Sequence, residues 1–365
     1  MNKLVIFMPS IEGGGVEKNL FIICNYLSKN IGNIYLITAD KKFNKKFKNI
    51  NIINPLFNVN PTSSRKYKYV LCLFELFKLI IKDKKITVFA FQANFYCTIV
   101  CKILFNVNLV TRSNSSPSGW SQNYFKKIVF RYLFKLIDCV IVNSLEFKKE
   151  LKKKFNVDSV CIYNPLNLNQ IIKLSKQKIF FPFFDKKKEL KIISIGRFVD
   201  QKDHMTLLKA MKELNFLNIN FKLLIIGRGI NLHKMHSYIF NNNLKKKIKI
   251  LNFKENPYPY LKKADLLVLT SKFEGLPNVL LESLALQKFT ISTDCPTGPN
   301  EILLGGKGGL LFEVGNYKEL SEKIMFYIKN QEKCRNMIYR SFQNIDRFDY
   351  NKNLFKYTSL LKEYI

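Results

Sequence analysis

With 365 residues, 47% of them apolar, the chain is comfortable for two hydrophobic cores, and its unbroken apolar runs, such as 69–74 and 266–269, are far too short to span a bilayer. A formal net charge of +33 favours anionic partners, while no nucleic-acid-binding motif of the usual kinds is present. Eight scattered cysteines without a C-x-x-C pair, and three histidines with no cysteine beside them, point to buried thiols in a reducing compartment rather than to disulfide staples or a zinc site.

The first half alternates strand and helix patterns. Residues 4–8 read as a strand and not as a signal peptide, because no small-residue cleavage site comes after them and a glycine loop is close by. A helix over 16–28 and a strand over 34–38 come next, then a helix over 70–82 inside a basic-ended stretch, 65–85. Strands are expected at 87–91 and 108–111, a helix at 120–136, a strand at 139–142, a helix at 146–154 and a strand at 160–163. Such alternation predicts a parallel sheet with helices on both faces.

Residues 166–188 lack a clear period and read as a linker. A second series then begins with a strand at 190–195, helix 205–214, strand 222–226, helix 231–240 and strand 248–251. It continues with helix 257–262, strand 266–269, helix 279–285, strand 290–292 and a helix near 300–303, and then helices at 317–329 and 332–340. A last helical stretch covers 349–364. The expected organisation is an N-terminal domain over 1–165, the linker, a second domain over 189–340 and a C-terminal helix within 341–365. The fold class is α/β, two doubly wound halves.

Three sequence features carry chemistry. Glu12-Gly13-Gly14-Gly15-Val16-Glu17 joins the first strand to the first helix, so the backbone at Gly14 and Gly15 can approach a ligand, and the helix N-terminus favours anionic groups. It is not G-x-G-x-x-G, which argues against a dinucleotide cofactor. In Gly196-Arg197-Phe198-Val199-Asp200-Gln201-Lys202 a strand ends in Gly-Arg and a lysine comes five residues later, giving a planar fork and a point charge for phosphate oxygens. The stretch Ala264-Asp265 to Phe273-Glu274-Gly275-Leu276-Pro277-Asn278 to Glu282 is a buried strand, a turn and a helix start with two acids eight apart. Glu274 then lies at the carboxyl end of a strand, where open α/β sheets bind ligands.

Those motifs together resemble the retaining glycosyltransferases of family 4, whose two Rossmann-like domains face across a cleft in the GT-B architecture. The resemblance is dense from Ser194 to Glu301 and includes Gly227 in Gly227-Arg228-Gly229, where Arg228 replaces the family's usual acid. It implies a donor nucleotide sugar, preferably UDP-linked hexose or N-acetylhexosamine, and a polyprenyl-diphosphate-linked glycan acceptor in surface polysaccharide synthesis. It assigns the diphosphate to Arg197 and Lys202, the donor sugar to Glu274 and the ribose to Glu282. Gly14, Gly15, Gly196, Gly227, Gly275 and Leu276 complete the donor-binding set. The last helix is expected to cross back to the first domain. No Asp-x-Asp motif is present, so cations and helix N-termini are expected to replace a metal ion, and no cofactor is implied. Retention without an evident enzymic nucleophile implies a front-face route. Many members place a histidine in the first domain; here the matching strand end reads Phe91-Gln92-Ala93-Asn94. Two other readings compete: a nucleotide-sugar epimerase of related fold, and a catalytically degenerate, membrane-attached binding subunit.

Residues 120–135 combine aromatics and cations, with Trp120, Lys127 and Arg131 at helical spacing and Lys126 and Lys135 beside them. One reading is a helix lying in an anionic membrane interface at the cytoplasmic leaflet; the other is a core-facing helix with solvated lysines. The charge as a whole has two matching explanations, membrane attachment and a codon bias toward lysine.

Overall fold

The structure is a computed structural model that describes residues 3–57, 59–60, 63–117, 124–184 and 188–365. The chain divides into two compact units, Met1–Pro165 with Tyr350–Ile365, and Leu166–Asp349. The first runs β1 (Lys3–Phe7), α1 (Gly15–Asn30), β2 (Ile34–Ile37), β3 (Asn51–Ile53), α2 (Arg65–Lys82), β4 (Ile86–Ala90) and α3 (Asn94–Thr98), which passes into the π-helical turn Ile99–Leu104. It continues with β5 (Asn108–Arg112), α4 (Tyr124–Lys135), β6 (Cys139–Val142), α5 (Leu145–Phe155) and β7 (Val160–Cys161). The second unit comprises α6 (Leu168–Ser175), β8 (Leu190–Ile195), α7 (His204–Phe216), β9 (Phe221–Gly227), α8 (Leu232–Asn241), β10 (Ile248–Asn252), α9 (Tyr258–Lys263) and β11 (Leu266–Leu269). Then come α10 (Asn278–Ala285), β12 (Phe289–Thr293), α11 (Pro299–Ile302), β13 (Leu310–Phe312), α12 (Tyr317–Lys329) and α13 (Gln331–Gln343). The chain ends in α14 (Tyr350–Lys362).

Both sheets are parallel, with strand orders β3-β2-β1-β4-β5-β6-β7 and β10-β9-β8-β11-β12-β13. These are doubly wound orders, in which the direction of winding reverses between β1 and β4 and between β8 and β11. Strand β1 shows why its sequence is a continuous apolar run. Leu4 and Ile6 pack with Leu20, Ile23 and Leu27 of α1 on one face, whereas Val5 and Phe7 pack with Cys72, Leu76 and Ile80 of α2 on the other. A strand covered on both faces has no side left to expose.

Helix α14 lies in the first unit beside α1, where Leu354, Tyr357 and Leu361 enter the same core. It is fastened by Arg112, a fully buried side chain whose Nε donates to Tyr357 Oη at 2.8 Å and whose Nη2 donates to Asn164 Oδ1 at 2.7 Å.

The expected linker over 166–188 is corrected. Residues 168–175 form α6, and Ile171, Phe181 and Phe184 are buried in the second unit. Phe181 meets the Tyr260 ring of α9 edge-on at 5.2 Å, and Asn256 Nδ2 donates to Leu174 O at 3.0 Å. The physical reason is length: Leu168, Ile171 and Ile172 do fall on one helical face, but over only eight residues, and it is packing against α9 and α10 that makes so short a helix part of the core. Residues 341–349 likewise stay with the second unit, which therefore spans 166–349 rather than 189–340.

Candidate active site

Winding reversal places the carboxyl ends of β8 and β11 side by side, since these strands pair in parallel through Ile192 with Leu266 and Ile193 with Leu267. The turns that leave the two strands are thereby brought together. After β8 the chain turns through Gly196-Arg197 into the single 3-10 turn Asp200–Lys202; after β11 it turns through Glu274-Gly275-Leu276-Pro277 into α10. Lys202 Nζ forms an ion pair with Glu274 Oε1, and both side chains are largely buried. The lysine stem passes over Gly196: a Cβ built there would lie 3.6 Å from Lys202 Cγ and Cδ. Thr270 Oγ1 donates to Lys202 O at 2.9 Å, tying the turn to the end of β11.

Arg197 stands on the same turn, with Nη2 donating to Gln201 Oε1 at 3.3 Å. Gln201 Nε2 in turn donates to Phe273 O at 2.9 Å, and Lys272 N donates to Gln201 O at 2.8 Å. Gln201 thus holds the cationic turn against the acidic one. The loop after β12 closes on the same place. Thr297 Oγ1 donates to Glu274 O at 2.8 Å, and Gly298, at φ +92°, lies so close that an added Cβ would stand 2.2 Å from Gly275 O. Burial, and then the charge of Glu274, push the Cys295 thiol up to about 12, so it stays protonated and unreactive.

The structure brings Gly196, Arg197, Lys202, Gly227, Glu274 and Gly275 together at the ends of β8, β9 and β11, with Leu276 buried in the turn. Glu282 is buried on α10, where Oε1 accepts from Tyr258 Oη at 3.2 Å. Arg228 is exposed, its guanidinium carbon 5.0 Å from the centre of the Phe253 ring. Gly14 and Gly15 belong to the first unit. There Gly14 N donates to Glu17 Oε2 at 2.8 Å, so buried Glu17 caps α1. Asp40 supports the preceding turn by accepting from Ile11 N at 2.8 Å, and it is paired with buried Lys68 at 2.8 Å. Gln92 Oε1 accepts from Ser10 N at 3.2 Å, and Asn94 Nδ2 donates to Arg112 O at 3.3 Å. Lys126, Lys127, Arg131 and Lys135 are exposed on α4; Trp120 lies outside the described residues.

Sequence reasoning missed Gln201, Thr297, Tyr258 and His204 as parts of this site. Gln201, His204 and Thr297 lie within or beside the stretches that carry the family resemblance, which was their signal; Tyr258 left none. His204 opens α7, buried edge-on against Phe198 with ring centres 5.4 Å apart. Burial, assisted by the Lys202 charge, lowers its pKa from 6.5 to about 3. The folded protein therefore keeps a neutral imidazole while the unfolded chain takes up a proton below 6.5. Stability is fully present above pH 6.5 and is lost as pH falls toward 3. By pH 4.5 the loss is about 2–3 kcal/mol. Urea unfolding of His204→Gln should show a correspondingly smaller difference between pH 7 and pH 4.5; an unchanged difference would assign the acid sensitivity elsewhere.

A parallel doubly wound sheet with an arginine, a lysine and an acid converging at its reversal point belongs to the class of folds that bind phosphorylated ligands at strand ends. Two family models match the chain. The model described as "Glycosyl transferases group 1" matches residues 175–344, and "Glycosyltransferase Family 4" matches 13–170. The chain belongs to the family 4 glycosyltransferases, and its fold is GT-B. Among curated proteins it is similar to a 4-alpha-N-acetylgalactosaminyltransferase of Campylobacter jejuni acting on N-acetylgalactosamine-N,N'-diacetylbacillosaminyl-diphospho-undecaprenol. That protein is 28% identical over 362 residues, covering 92% of this chain and 95% of the relative. The amylovoran biosynthesis glycosyltransferase AmsD of Erwinia amylovora is 25% identical over 312 residues, covering 83% and 84%. Among solved structures, Anabaena HepE in complex with UDP and glucose superposes with a TM-score of 0.78 at 17% identity, over the whole of both chains. Sucrose-phosphate synthase of Thermosynechococcus elongatus gives 0.80 at 14% identity, covering 100% of this chain and 99% of that one.

Proposed function

We propose that the protein transfers a hexose or N-acetylhexosamine from a UDP-sugar, with retention at the anomeric carbon, to a lipid-linked glycan in surface polysaccharide synthesis, working on the inner face of the cytoplasmic membrane. The observation that carries this reading is the Lys202–Glu274 pair laid over Gly196 beside Arg197. It offers two cations to a diphosphate and one acid to a sugar hydroxyl at a single strand-end site. The C. jejuni relative, which acts on a diphospho-undecaprenol-linked glycan, supports the acceptor class.

In this reading Arg197 and Lys202 bind the diphosphate oxygens and stabilise the charge that grows there as the bond from C1 to the phosphate oxygen breaks. The acceptor hydroxyl forms the new C1–O bond on the face the phosphate leaves, and its proton passes to the departing phosphate oxygen. Glu274 orients the sugar. Glu282, already accepting one hydrogen bond from Tyr258, holds a ribose hydroxyl. Gly196, Gly227, Gly275 and Leu276 form the walls of the donor site.

The test is product analysis. Purified full-length protein is incubated with radiolabelled UDP-N-acetylgalactosamine or UDP-glucose and a short-chain lipid-diphosphate disaccharide. The expected result is label in the lipid fraction with an α linkage by NMR. A β-linked product would overturn retention, and label found only in an epimerised nucleotide sugar would overturn transfer.

A further inference from the structure

We propose that α2, the α3–π-helical turn and α4 form one docking face whose apolar side chains enter the acyl boundary of an anionic bilayer. The inference rests on the membrane partner in the proposed function and names the part of the chain that meets it. A helix at the surface of a globular unit ordinarily presents a polar face to water. Helix α2 does not. Cys72, Leu76 and Ile80 face the sheet, while Val70, Phe74 and Ile81 occupy the opposite side, with Val70 66% exposed. On the next element Tyr96, Ile99 and Ile103, spaced i, i+3, i+7, are also exposed. Helix α4 repeats the arrangement: Phe134 is buried, and Phe125, Ile128 and Tyr132 are exposed, Phe125 at 76%.

These three elements are neighbours on one face of the first sheet. The Tyr69 and Tyr96 rings lie 6.3 Å apart, Phe77 and Phe105 meet edge-on at 5.1 Å, and Phe95 stacks on Phe130 at 4.1 Å. Their outward apolar residues therefore sit on adjoining elements of one face, and clustering of this kind marks an interaction surface.

Charge selects the partner. Helix α4 carries exposed Lys126, Lys127, Arg131 and Lys135 and no acid, and α2 carries only Glu75, which is paired with Lys78. Lys78 Nζ also sits 4.3 Å from the centre of the exposed Phe74 ring, an apolar body with a cationic rim. Cations rimming an apolar face complement anionic headgroups above acyl chains, and the two signals together give stable attachment where either alone is marginal. No helix among the described residues is long and apolar enough to cross a membrane, so attachment lies in the interface plane.

The experiment is cosedimentation of the full chain with phosphatidylglycerol-containing vesicles at low salt and at about 1 M salt, where the Debye length is only about 3 Å. Wild type should bind at low salt and keep a measurable bound fraction at high salt. The triple variant Phe74→Ser, Ile103→Ser, Tyr132→Ser should lose the salt-resistant fraction and bind at least about tenfold more weakly at low salt. Replacing Lys126, Lys127, Arg131 and Lys135 with Gln should instead remove the salt-sensitive part. Phe216→Ser, an exposed change in the second unit, should bind as wild type. Thermal unfolding midpoints check that the variants are folded, and Phe74→Ser alone keeps the comparison available if the triple variant is not. Wild-type partitioning of the triple variant, or complete release of the wild type at high salt, would overturn the inference. Turnover onto a water-soluble acceptor needs no bilayer and so reports separately on the transferase reading.

Discussion

Lys202→Met should reduce transfer by at least about a thousandfold and raise the Kd for UDP at least about tenfold. Two losses combine. The developing charge on the leaving phosphate loses an electrostatic partner, worth about 10²–10³ in turnover. Glu274, largely buried, also loses its counter-ion, and breaking a buried pair costs about 3–5 kcal/mol because one charge is left uncompensated. Glu274→Ala should behave differently. It leaves Lys202 as an unneutralised cation beside the diphosphate, so UDP binding is kept or tightened while turnover falls about 10²–10³-fold. Glu282→Ala should chiefly weaken UDP binding, since a ribose contact is the same in ground and transition states. The double variant Lys202→Met, Glu274→Gln should recover thermal stability without recovering activity, because it removes the stranded charge but not the catalytic deficit. Calorimetric UDP titration beside single-turnover kinetics separates these outcomes. Unchanged UDP affinity in Lys202→Met would make Lys202 a structural partner of Glu274 and nothing more.

The readable parts of this chain were those where local pattern and tertiary role coincide. Residues 266–269 read as a strand because β11 is buried on both faces, and the strand-end positions of Arg197 and Glu274 came with it. The pairing of Lys202 with Glu274 was not readable, since the partners lie 72 positions apart and meet only through the β8–β11 register. Short edge strands were missed for a related reason: β3 and β13 have three residues each, too few to show a period, and their neighbours in the sheet make them strands. Helix α6 was hidden because its apolar stripe lasts only eight residues, too short to stand out among the polar residues that flank it. In α4 periodicity could show an apolar stripe but not choose between inward and outward faces; the structure has apolar side chains on both, Phe134 within and Phe125 without.

Gly227→Ala is expected to damage the site from a position that carries no functional group. The added Cβ would lie 1.9 Å from Gly196 O and 2.7 Å from Phe198 Cε1, far inside contact distance. Relief requires one side of the collision to move, and both are held. Gly196 N donates to Ile226 O at 3.0 Å, and Phe198 N donates to Arg228 O at 2.8 Å, so the β8 turn is bonded to the residues flanking Gly227 itself. Phe198 is fully buried in the core against Leu207 and Met211, which leaves its ring no room to withdraw. Overpacking of this kind costs about 1–3 kcal/mol or more. For a unit of this size that lowers the unfolding midpoint by about 2–12 °C. The shift also carries Gly196 and Arg197 away from the position that Lys202 and Gln201 define, so UDP affinity should fall with stability. Gly196→Ala is the informative contrast. Its Cβ would meet only the Lys202 stem, at 3.6 Å, an ordinary contact, so the fold should survive. If Gly227→Ala kept both the wild-type midpoint and the wild-type UDP affinity, the end of β8 would be free to move, and the close approach of two strand ends would not be what positions the cations.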